Sequence, residues 1–95
     1  MPIFVGLLTV DLYIAEANTL KDKRQVLQSL LTRLQNRLNV AVAEVGNNDI
    51  HRRAQIALTT VSNSQAQVQR VMAATSQLLN SEPTVEVETE TLEIL

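Results

Sequence analysis

Ninety-five residues fit one small domain spanning 1–95, and 45% apolar against 19% charged residues is the balance of a folded chain, not a disordered one. Without cysteine there are no disulfides, zinc ribbons, iron–sulfur clusters or thiol nucleophiles, and the one histidine, His51, cannot assemble a metal cluster alone. The net charge of −2 conceals an asymmetry, because residues 1–81 hold all eight basic groups against five acids, whereas residues 82–95 hold five glutamates and no cation.

Ile3 to Ala15 alternates throughout, with Phe4, Leu8, Val10, Leu12 and Ile14 on one side and Ile3, Val5, Leu7, Thr9, Asp11 and Tyr13 on the other. A strand apolar on most of both faces belongs in the middle of a sheet. Its most apolar part, Ile3 to Val10, is broken by Gly6 and Thr9 and falls far short of the roughly 18 residues that span a bilayer. No basic leader precedes it. The expectation is a cytoplasmic chain, mature from Met1, with no membrane partner.

Asn18 or Thr19 can cap the next element, in which Val26, Leu27, Leu30, Leu31, Leu34 and Leu38 recur over an arc of about 140°. Leu20 shares that arc, which predicts a helix over 20–38. Val40 to Val45 reads as a strand, and Gly46-Asn47-Asn48-Asp49 carries turn chemistry. Ala54, Ile56 and Leu58 alternate with Gln55, Ala57 and Thr59, giving a third strand over 52–61. Ser64 followed by Gln67 has the form of a capping box, and Val68, Val71, Met72, Thr75, Leu78 and Leu79 continue with helical spacing to about Asn80. Pro83 stops that helix, and Val85, Val87 and Thr89 open a last strand. Its alternation changes phase between Thr89 and Leu92, the mark of a bulge there or of Leu92, Ile94 and Leu95 packing elsewhere.

The order βαββαβ is the ferredoxin-like α+β arrangement, an antiparallel four-stranded sheet of order 4-1-3-2 with both helices on one face. The other face is then open. It should carry Ile3, Val5, Leu7, Ala57 and Val61 among Thr9, Asp11, Gln55 and Thr59, which is too apolar for a purely solvated surface. A homo-oligomer interface centred on Val5, Leu7, Ala57 and Val61 is the expectation.

Several segments resemble a known bacterial family. Thr19-Leu20-Lys21-Asp22-Lys23-Arg24-Gln25-Val26 is similar to the "S-L-K-x-K-R-x-V" helix start of the YlxP-like proteins, and Asn39 to Val45 to their "N-V-S-V-A-E-V" strand. Asp49-Ile50-His51-Arg52-Arg53-Ala54 and Val61-Ser62-Asn63 stand at corresponding spacings. The loop usually reads "D-H-Q-D-x-W-Q-R"; here it is Gly46-Asn47-Asn48-Asp49-Ile50-His51-Arg52-Arg53, with His51 in place of the tryptophan. The resemblance implies a ferredoxin-like fold and no established enzymatic activity. Through the family's gene neighbourhood, it also implies a link to translation initiation and ribosome maturation.

Lys21, Lys23 and Arg24 lie together at the first helix start and can be joined by His51, Arg52 and Arg53, so these six residues form the candidate RNA- or anion-binding site. Ribosomal RNA or the ribosome is the partner this reading names. Base stacking in the manner of an RNA-recognition motif is excluded, because the only candidate ring on the open face is Tyr13. Binding there would be electrostatic and strongly salt-dependent. Glu86, Glu88 and Glu90 fall on one side of the last strand at intervals of about 7 Å, too far apart to share an ion, and their charge discourages pairing with other chains. No nucleophile has a positioned base, so the expectation is no catalytic residue, no metal and no cofactor.

Overall fold

The computed structural model describes residues 2–95; Met1, the expected mature start, lies outside them. The elements are β1 (Phe4–Tyr13), α1 (Leu20–Arg37), β2 (Ala41–Gly46), β3 (Arg53–Ser62), α2 (Gln65–Ser81) and β4 (Glu86–Ile94). All pairings are antiparallel, in the order β2-β3-β1-β4. This is the expected ferredoxin-like α+β fold, with boundaries within one or two residues of those read from periodicity.

β1 sits centrally because it is apolar on both sides. Leu8, Val10, Leu12 and Ile14 are buried beneath the helices, with Ala54, Ile56 and Leu58 of β3 beside them. α1 contributes Leu27, Leu30 and Leu34, and α2 contributes Val68, Met72 and Leu79. Gly6 lets α2 approach the sheet, since a Cβ there would stand 2.6 Å from Val68 Cγ1 and 3.0 Å from Met72 Cγ. The domain is a thin slab, 48 × 21 × 18 Å, and one broad sheet face carries no helix.

Caps fix both helix starts. Thr19, not Asn18, caps α1, its hydroxyl accepting from Asp22 N at 3.1 Å. Ser64 accepts from Gln67 N at 3.3 Å, but the Gln67 amide oxygen turns to Arg70 and not back to the cap, so only half of the capping box forms. Ser64 N donates instead to Ser62 Oγ at 3.1 Å.

The last strand departs from its expected pattern. The register of β1 with β4 slips between Asp11 opposite Thr89 and Leu12 opposite Val87, leaving Glu88 as the extra residue. The phase change therefore lies nearer the strand's start than the alternation indicated. Glu86, Glu88 and Glu90 do not share a side: Glu88 pairs with Arg53, whereas Glu90 turns towards α2 and accepts from Ser76 Oγ at 2.6 Å. Among the described residues, no helix is long and apolar enough to cross a membrane.

Candidate functional site

The six residues expected to form one cationic site are divided by the fold. Lys23 is corrected outright: it lies on the line of Leu27, Leu30 and Leu34, is 1% exposed, and offers nothing to a ligand. Its Nζ donates to the carbonyls of Asn47 (2.7 Å), Ile50 (2.8 Å) and Arg53 (3.0 Å), with Asn48 O at 3.4 Å. Glu44 Oε2 stands 3.0 Å away. An ammonium has three hydrogens, and the carbonyls take them, so that Glu44 oxygen neutralises the charge without a hydrogen bond of its own. Lys23 is thus a peg that holds the 47–53 loop over the start of α1. The loop's sharp entry uses Asn47 at φ 61°, a left-handed conformation that asparagine tolerates, closed by Ile50 N donating to Asn47 O at 3.0 Å.

The arginines are also engaged. Arg52 ties the loop to the segment before α1, donating from Nε to Ala17 O at 3.2 Å and from Nη2 to Asn18 Oδ1 at 3.0 Å. Arg53 points to the open sheet face, pairs with Glu88 and lies 4.6 Å from the centroid of the Tyr13 ring. Its hydrogen bond to Glu88 holds the guanidinium proton more tightly than usual. Lys21, Arg24 and His51 remain exposed. Asp22 and Asp49 stand among them in the chain and offset part of their charge.

The open face divides along its length. At the end holding Asp11, polar side chains satisfy one another: Gln55 Nε2 donates to Asp11 Oδ1 at 3.1 Å, Thr89 Oγ1 donates to Asp11 Oδ2, and Arg53 bridges Glu88 and Tyr13. At the other end the register sets Val5 opposite Val61 and Leu7 opposite Thr59, with Ala57 beside Ala43 and Thr59 beside Ala41. Thr59 donates its hydroxyl to Gly6 O at 2.8 Å, which leaves its methyl group as the presented surface. Leu95 extends the same end through paired backbone hydrogen bonds with Val5 of 3.1 and 2.7 Å. Val61 is 59% exposed, Leu95 66% and Ile3 70%. Leu7, Ala41, Ala43, Ala57 and Thr59 line a shallow depression of about 240 Å³. The four residues expected at an interface, Val5, Leu7, Ala57 and Val61, are therefore brought onto one contiguous surface.

Among the described residues, no three histidine, cysteine, aspartate or glutamate side chains gather as a metal site. The residues that sequence reasoning missed are Lys23 as a structural peg, and Asp11 and Thr89 as the organisers of the polar end. Lys23 had a signal, since the 4-3-4 spacing that runs from it through Leu27, Leu30 and Leu34 places it in the apolar stripe.

The model of the family described as "Protein of unknown function (DUF503)" matches residues 5–91. The chain belongs to the DUF503 family. A relative in Bacillus subtilis (strain 168), "Uncharacterized protein YlxP", is 33% identical over 82 residues, which cover 86% of this chain and 89% of the relative. DUF503 membership agrees with the resemblance drawn from the helix start and the Asn39 to Val45 strand. Among solved structures, a dimeric ferredoxin-like protein from an uncultured marine organism aligns over 100% of this chain and 96% of its own, at 14% identity and a TM-score of 0.48.

Proposed function

We propose that this DUF503 chain is a non-enzymatic interaction module that assembles with copies of itself through the apolar half of its open sheet face. The observation that supports this reading is the division of that face. Its polar half is internally satisfied, while Val5, Leu7, Ala57, Val61 and Leu95 gather in a mainly apolar half with no helix above it, bordered by Glu93 opposite Leu7 on β4. Exposed apolar surface of that kind is costly in water and favours a partner. A second copy supplies the same surface across a two-fold axis, as isologous contacts require.

The test is Leu7→Lys combined with Val61→Lys. Both positions are partly or well exposed, so the fold should persist by circular dichroism while the association constant falls by at least tenfold; an unchanged constant would refute the interface. The second reading, an RNA- or ribosome-associated accessory factor, would rest on Lys21, Arg24 and His51, because Lys23 is buried, Arg52 holds the segment before α1 and Arg53 is paired. Sedimentation with ribosomal subunits at low salt, lost in Lys21→Ala/Arg24→Ala, would support it.

A further inference from the structure

The two outer strands of the sheet are not alike. Each carries a row of backbone N–H and C=O groups with no neighbouring strand, and native proteins usually shield such a row with charge. β4 is shielded, with Glu86, Glu88, Glu90 and Glu93 along it. β2 is bare. Its one charged residue, Glu44, turns its carboxylate inward to Lys23, and Ala41, Ala43 and Val45 are exposed. Both flanks of β2 are also hollow. On the helix side a groove of about 430 Å³ lies between β2 and α1 against Leu27, Leu31 and Val42, and on the other side the 240 Å³ depression reaches Ala41 and Ala43. An added strand sends its side chains alternately up and down, and here it finds room for both sets.

We propose that β2 pairs antiparallel with β2 of a second copy, making one continuous sheet from two. This contact rests on the reading that copies of the chain assemble, but uses a different surface. The strand is suited to itself. Opposed residues in a pleated pair share a face, so a register centred on Val42 or Ala43 sets Glu44 opposite Val40 or Val42 of the second copy, never opposite another Glu44. The same two-fold axis lays the two α1 helices side by side across the groove and covers Leu31. Arg24 and Glu44 are the only charges in that groove, so it offers no net charge to select an acidic or basic peptide instead. Growth through the sheet edges stops at two copies, because the glutamates of β4 keep the opposite edge from pairing.

The chain has no cysteine, so single substitutions report this geometry directly. Opposed Cα atoms in an antiparallel pair lie about 4.5–5.5 Å apart, within disulfide range. Under mild oxidation, Val42→Cys or Ala43→Cys should convert to a disulfide-linked dimer, whereas Thr91→Cys on β4 should not. If light scattering finds an assembly but neither β2 cysteine bridges, edge pairing is wrong and the open-face assembly stands. A chain that scatters only as a monomer overturns both.

Discussion

Lys23 carries a full positive charge at a position where the helix repeat calls for a leucine. The fold accommodates it because three loop carbonyls and one carboxylate replace its hydration. Lys23→Met should cost about 3–5 kcal/mol, the range for breaking a buried pair, and adding Glu44→Gln should recover part of it by removing the stranded charge; urea denaturation measures both. In the sequence, Lys23 stands among a cluster of cations. Its position in the apolar stripe was legible, but the carbonyls that receive it lie 24 to 30 residues away and left no local signal.

A second residue ties stability to pH. Glu82 is 8% exposed and accepts from Arg33 and from Thr84 Oγ1 at 2.9 Å. Arg33 first, then Thr84, hold its carboxyl below the usual glutamate range against the opposing effect of burial. An unfolded-state glutamate protonates near about pH 4.3, above the folded value, so unfolding takes up a proton between the two. The stabilisation is present above that pH and lost as pH falls through the folded value. Urea midpoints measured from neutral pH downwards should therefore fall less steeply for Glu82→Gln than for the parent chain.

The elements form where their periodicity placed them, because local pattern and burial agree. Boundaries were legible from Thr19, Ser64, the Gly46 to Asp49 turn and Pro83, each of which acts within a few residues. Less legible were features set across strands. The extra residue Glu88 pairs with Arg53 on β3, a partner from another strand, so alternation along β4 alone does not locate the bulge. Gly6 likewise reads as an ordinary strand residue until α2 is laid on it. Gly6→Ala should lose about 1–3 kcal/mol in thermal or chemical unfolding, because the methyl group meets branched Val68 and not a flexible chain end. Thr19→Ala should lose about 1 kcal/mol through the lost cap of α1.

At the scale of the molecule, two layers bury one sheet face and leave the other to find its own cover. The scarcity of aromatic rings is consistent throughout: one tyrosine reaches the open face, and Arg53 lies over it, so base stacking has no platform there. The apolar half of that face was legible in the alternation of β1 and β3. Its sharp boundary with a self-satisfied polar half was not, since that boundary depends on Asp11, Gln55 and Thr89 meeting across three strands. Charge is distributed with the same economy, shielding β4 and sparing β2. The most direct test of self-assembly is the mass of the unmodified chain in solution, measured by light scattering across tens of micromolar at neutral pH. The mass should be at least twice the 10.5 kDa of one chain, and a single-chain mass across the whole range would contradict the account.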